Sequence, residues 1–215
     1  MLRSLCQLQY LTRPVGHMRG VDYDATHLVK AVKGLDLNPN SYTWVSIDGT
    51  NTRIAENNKD KAIVWHAAWA ASQVDGLGVG AKLLLPIPSS KTIVASAEDY
   101  RTFKIAQAIA ARAANCTVSS ALRFIEARPG SREDGGSRDP NVLYPNMTLK
   151  TALPDGVIIL IDDVKTSGGH VIAASWKLAE VSRVPALALA CGRSLDAPLE
   201  DPFSLAPEEI DITHT

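Results

Sequence analysis

The chain has 215 residues, 46% of them hydrophobic, with 22 basic against 23 acidic side chains. That length can bury a substantial core, so a single domain with appendages is the default, and the balanced charge advertises no polyelectrolyte partner such as nucleic acid. The longest apolar runs are too short to cross a bilayer, and "MLRSLCQLQYL" lacks the continuous apolar core of a signal peptide, which leads to the expectation of a cytoplasmic protein without a membrane partner.

Taken in chain order, residues 26–34 and 60–74 have helical periodicity, the second placing Ile63, Val64, Ala67, Ala68, Ala71 and Val74 on one face. Between them "YTWVSI", from Tyr42 to Ile47, has strand composition and runs into the turn-forming "DGTN". "AKLLLPIP", residues 81–88, reads as a buried strand ended by its prolines. A helix over 97–114 carries Phe103, Ala106, Ile109, Ala110 and Ala113 on its core stripe, and a strand follows from Val118 to Ile125. Residues 127–149 are dense in Gly, Pro, Ser and charge, as a lid or insert would be. Regular patterning then resumes with a strand over 157–161, a helix over about 168–182 and the strand "VPALALA", 184–190. Strands that are apolar throughout and alternate with helices predict an α/β fold with a parallel sheet covered on both faces. In such sheets ligands sit at the carboxyl ends of the strands.

Asp162 and Asp163 fall at such an end, directly after the aliphatic run Val157–Ile161. Two adjacent carboxylates repel one another and are tolerable there only if solvated, or met by hydroxyl donors or a cation. The next residues, "KTSGGH" from Lys165 to His170, open a helix whose first-turn N–H groups are unpaired. Gly168 and Gly169 let the backbone approach an anion, Thr166 and Ser167 supply hydroxyls, and the helix dipole favours negative charge. A sugar phosphate satisfies both halves of the motif.

This stretch resembles the 5-phosphoribosyl 1-diphosphate (PRPP) signature of type I phosphoribosyltransferases. The succession "PIPSS", "AEDYRTFKIAQAIAARA", "ALRFIEARPGSR" and "DPNVLYPNM", preceded by "VDYDATHLVKAVKG", is similar to the ComF subgroup over roughly residues 21–190. The resemblance implies a Rossmann-like core with a mostly parallel sheet flanked by helices and a small hood. Residues 1–60 would form the hood, 61–192 the core with 127–149 as its lid, and 193–215 a tail. It implies that Asp162 and Asp163 face the ribose hydroxyls and stabilise charge on the ring, and that Thr166, Ser167, Gly168, Gly169 and His170 wrap the 5-phosphate. Ser89, Ser90, Lys91 and Arg101 would meet the pyrophosphate, with Arg123, Arg128, Arg132 and Arg138 flanking the lid. Mg²⁺ would arrive on PRPP itself with no direct protein ligand, and the acceptor would be a nitrogenous base or amine. Members of the family commonly pair to complete their sites, which leaves a homodimer open. The family's loop usually ends in Thr or Ser where this chain has His170, and many ComF members begin with a four-cysteine zinc ribbon where this chain has Cys6 alone.

Two other readings stand beside this one. A PRPP-sensing accessory protein would keep the site without turnover. "VSIDGTNT", Val45–Thr52, is similar to the D-x-D-G-T motif of haloacid-dehalogenase-type phosphatases, but Ser46 occupies the place of the nucleophilic aspartate. Cys6, Cys116 and Cys191 are scattered and read as reduced, mostly buried thiols, and the five histidines show no ligand spacing. Three of the four tryptophans fall inside predicted helices or strands and read as core, and Phe203 in the tail is a candidate for stacking on a base.

Overall fold

The computed structural model describes residues 1–13, 18–130, 136–197 and 199–214. In chain order the elements are β1 (Leu2–Leu11), α1 (Gly20–Lys33), β2 (Thr43–Ile47), β3 (Thr50–Ile54), α2 (Lys61–Asp75), β4 (Lys82–Pro86), α3 (Arg101–Ala110) and β5 (Cys116–Val118). They continue with β6 (Leu122–Phe124), α4 (Pro140–Leu143), β7 (Met147–Leu149), β8 (Val157–Lys165), α5 (Gly169–Ala179), β9 (Pro185–Leu195) and β10 (Glu208–Ile210). Six strands form one sheet in the order β10-β1-β9-β8-β4-β5. All neighbours run parallel except β10, which is antiparallel to β1.

The apolar run of β8 explains its central place. Ile158, Ile159, Leu160 and Ile161 are all buried, and alternate residues enter different cores. Ile159 and Ile161 join Leu5, Leu187 and Leu189 under α1, α2 and α3. Ile158 and Leu160 join Leu83, Leu85 and Ala188 on the other face, which is covered by Val171 and Leu178 of α5 and by the β6–β7 hairpin. Between β2 and β3, Asp48 and Gly49 both have positive φ, 51° and 77°, as the tight two-residue hairpin turn "DG" requires.

The chain departs from the sequence expectations in four places. β1 comes from the segment assigned to the hood, yet it lies inside the sheet between β9 and β10, and the segment assigned to the tail holds the end of β9 and all of β10. Polar residues had masked β1. Ser4 and Gln9 are buried in it, and Gln9 donates to the carbonyl of Ala197 at 3.1 Å. The single strand expected over 118–125 is two short strands, β5 in the main sheet and β6 paired with β7. That pairing anchors the end of the expected lid, while residues 131–135, including Arg132, lie outside the described residues. Trp44 and Val64, expected in the core, are 55% and 37% exposed, because Trp44 sits on the open face of the hairpin and Val64 at the margin of α2.

The packing of α1 on the sheet is close at one point. A Cβ on Gly192 of β9 would stand 2.7 Å from Cγ2 of Val29 and 3.3 Å from the ring of Tyr10. Gly192→Ala is therefore expected to destabilise the protein by about 1–3 kcal/mol through overpacking. Urea unfolding of Gly192→Ala, Val29→Ala and the double variant should show the pair to be less destabilised than the sum of its singles. Additive losses would mean that α1 does not seat against β9 at this residue.

Candidate functional site

Successive residues of a regular strand face opposite sides of the sheet, so Asp162 and Asp163 would ordinarily part company. Both nevertheless line one cleft, of about 240 Å³, at the carboxyl ends of β4 and β8. The β8–β9 ladder keeps one register on either side of Asp163, pairing Asp162 with Ala190 and Val164 with Gly192, and its register shift lies upstream, between Ile158 and Ile159. The cleft lies across the end of β8, where Val164 lines it together with both aspartates.

The electrostatics of the pair are unequal. Burial, and then the charge of Asp163, push the Asp162 carboxyl up to about 8, while one of its oxygens accepts a 2.8 Å bond from the Asp163 N–H. Oδ2 of Asp163 stands 3.7 Å from Nζ of Lys33, the last residue of α1. His170 lies in the same cleft and is held below the usual imidazole range, chiefly by burial.

The expected phosphate loop divides. Thr166 and His170 line the cleft with the aspartates, whereas Ser167 faces an adjoining hollow bordered by Arg13, Arg138 and Ser194. Gly168 adopts φ +83° as it opens α5, a conformation that favours glycine. A Cβ on Gly169 would collide with the carbonyl oxygen of Arg138, so this glycine admits the backbone of the lid rather than an open surface. Lys165 belongs to the strand. It is buried and paired with Glu208, which also holds Arg193 at 2.5 Å.

Of the expected pyrophosphate ligands, Ser89 and Ser90 line the cleft. Their loop is tied by a 2.7 Å contact between the Ser89 and Thr92 hydroxyls. Lys91 is not part of the lining. Arg101 reaches the cleft wall, but its guanidinium is engaged elsewhere: it donates to the carbonyls of Ala31, at 2.6 Å, and Val32, and pairs with Asp60 at 3.0 Å. The lid arginines also separate. Arg138 lines the cleft and Arg128 donates to the carbonyl of Val142 at 2.8 Å. Arg123 is fully buried, bonded to the Tyr100 hydroxyl at 2.8 Å with its cation 4.8 Å from that ring. Phe203 is 39% exposed and outside the cleft lining, and Asp48 of the phosphatase-like motif is held by two bonds from Arg112, at 2.8 and 2.9 Å.

Sequence reasoning missed Lys33, Tyr10 and Thr102, all of which line the cleft. The pair Lys33-Gly34 was a readable signal, since a basic last turn followed by glycine marks a helix end that presents a cation. Tyr10 gave no signal, because its position depends on β1 entering the sheet. No protein-family model matches the chain, and no curated protein matches its sequence.

The raised Asp162 carboxyl has a direct consequence for stability. Its ordinary value is 3.8 and its folded value about 8, so between those pH values the folded protein retains a proton that the unfolded chain has lost. Stability attributable to this group therefore falls as pH rises through that window and levels off above it. Asp162→Asn is expected to be more stable than the parent by about 1–3 kcal/mol at pH 8, with the advantage shrinking toward pH 4. Urea unfolding across that range checks both the sign and the slope.

Proposed function

We propose that the cleft binds PRPP and that the protein is a Mg²⁺-dependent phosphoribosyltransferase, passing ribose 5-phosphate to a nitrogenous acceptor with release of pyrophosphate. One observation carries this reading: two carboxylates, two serine hydroxyls from the loop after β4, and Thr166 with His170 converge on one space at the carboxyl ends of adjacent parallel strands.

In this reading the carboxylates accept hydrogen bonds from the ribose 2- and 3-hydroxyls. The first turn of α5 and Thr166 hold the 5-phosphate, and Ser89 and Ser90 lie on the diphosphate side. Mg²⁺ carried on the diphosphate would neutralise the leaving group, in keeping with its preference for phosphate and water oxygens. As the C1–O bond breaks, both electrons leave with pyrophosphate and positive charge develops on the ribose ring. Asp163, joined by Asp162 where that carboxyl ionises, stabilises that charge without moving, and the acceptor nitrogen then forms the new bond at C1. Position and fixed charge do the chemistry, and no covalent enzyme intermediate is needed.

A second reading, PRPP binding without turnover, draws on Arg101. With that guanidinium engaged at α1, the diphosphate side of the cleft has less positive charge than the sequence promised. Pyrophosphate release from Mg²⁺-PRPP in the presence of a panel of nucleobases and amines separates the two. Release is expected with at least one acceptor, and Asp162→Asn/Asp163→Asn should lower it at least about 100-fold with the circular dichroism spectrum unchanged. Saturable PRPP binding with no release favours the sensor, and absence of binding overturns both readings.

A further inference from the structure

Lys33 and Arg101 have no common role in the sequence, one closing a helix assigned to the hood and the other opening a helix near the pyrophosphate loop. The structure links them. The carbonyls at the end of α1 form the negative end of the helix dipole, and Arg101 caps two of them, those of Ala31 and Val32, while Asp60 anchors the far side of its guanidinium. Gly34, at φ +72°, leaves room for this, since a Cβ there would lie 3.3 Å from Cζ of Arg101. The residue immediately before Gly34 is Lys33, whose ammonium reaches Asp163 from the cleft wall.

We propose that Lys33 is a positioning residue for the carboxylate pair, the built-in counter-ion that holds the Asp163 side chain aimed into the cleft, and that Arg101 acts on the site only through Lys33, by fixing the end of α1. The inference rests on the PRPP reading for its functional consequence but not for its geometry.

Three features support it. The pair Lys33–Asp163 is shielded, with side chains 26% and 23% exposed, so its attraction is less screened than at an open surface. Lys33 also carries the countercharge on the α1 side. The other groups facing the aspartates are His170 on α5, with Arg138 near it, Cys6 on β1 and Cys191 on β9. Lys165 is paired with Glu208 and borders a different hollow, which leaves Lys33 as the cation in ion-pair contact with the aspartates among the described residues. Lastly, a guanidinium that grips two main-chain carbonyls and a carboxylate is oriented away from a ligand diphosphate and toward the helix it caps.

The test is a double-mutant cycle on Lys33→Met and Arg101→Met, read in two ways. Titration calorimetry with Mg²⁺-PRPP should show each single variant binding about 10-fold more weakly and the double variant no weaker than the worse single, within about twofold. Lys33→Arg should restore binding. A double variant whose loss equals the product of the singles would mean that Arg101 meets the ligand independently, and would overturn the proposal. The second arm needs no ligand: carboxyl carbon NMR of Asp162, which feels the Lys33 charge, should show protonation moving to higher pH in Lys33→Met and in Arg101→Met, with Arg101→Lys measured alongside in case the methionine variant fails to fold. Unchanged titration in these variants overturns the inference even if PRPP binds. Failure of the wild type to bind PRPP, with the titration shifted as described, overturns the functional reading alone.

Discussion

Placing two carboxylates side by side at the end of a buried strand is the constraint around which this molecule is organised. Asp162 is desolvated and faces the charge of its neighbour, so its ionised form is unfavourable by itself. The surrounding elements each answer part of that problem. The end of β8 carries both side chains to one cleft, α1 delivers Lys33 to the second of them, and the Asp163 N–H satisfies an oxygen of the first. Gly192 matters to the same end, because close seating of α1 on β9 brings the end of that helix to the cleft. Such unfavourable burial lowers stability wherever the carboxyl must ionise.

The same logic explains where the basic residues went. Around the carboxyl ends of the strands, Lys165 and Arg193 share the single carboxylate of Glu208 of β10. Arg101 is held at the end of α1, and Arg123 is buried over Tyr100. Cations engaged in this way act as structural braces, and they hold the loops that border the cleft rather than reaching into it. Glu208 therefore gives the C-terminal segment a purpose that composition could not show: it pairs with β1 at the edge of the sheet and fixes both cations beside the phosphate loop.

How far the sequence could be read follows from the kind of interaction involved. Elements with a strong period or a continuous apolar run, α2, β4, β8, α5 and β9, were legible because local patterning and burial agree there. The carboxylates, the serine loop and the glycine loop were legible as chemistry because each group is contiguous in sequence. β1 was not, since Ser4, Gln7 and Gln9 interrupt its pattern and their partners lie far away, Gln9 on Ala197 and Gln7 on His66 at 2.7 Å. Tyr10, the destination of the Lys33 cation and the actual duty of Arg101 were illegible for a related reason. Each is decided by contacts between helix ends and strands that are distant in the chain, and no periodicity encodes them.

These contacts also shape how turnover would work. A transferase needs positive charge where pyrophosphate departs and negative charge beneath the ribose that it leaves. The second requirement is built into the frame, with the aspartates fixed by β8 and the Lys33 contact in place before any ligand arrives. The first is met by few protein cations in the cleft lining, namely Lys33 and Arg138 beside the engaged Arg101. Arg138 is held where Gly169 admits its backbone, so the segment carrying it packs directly on the loop that opens α5. The leaving-group side thus depends on the lid and on the metal that accompanies the donor, while the ribose side is preorganised. In the proposed reading, that asymmetry makes charge supplied on the diphosphate side, rather than at the aspartates, what separates turnover from binding alone.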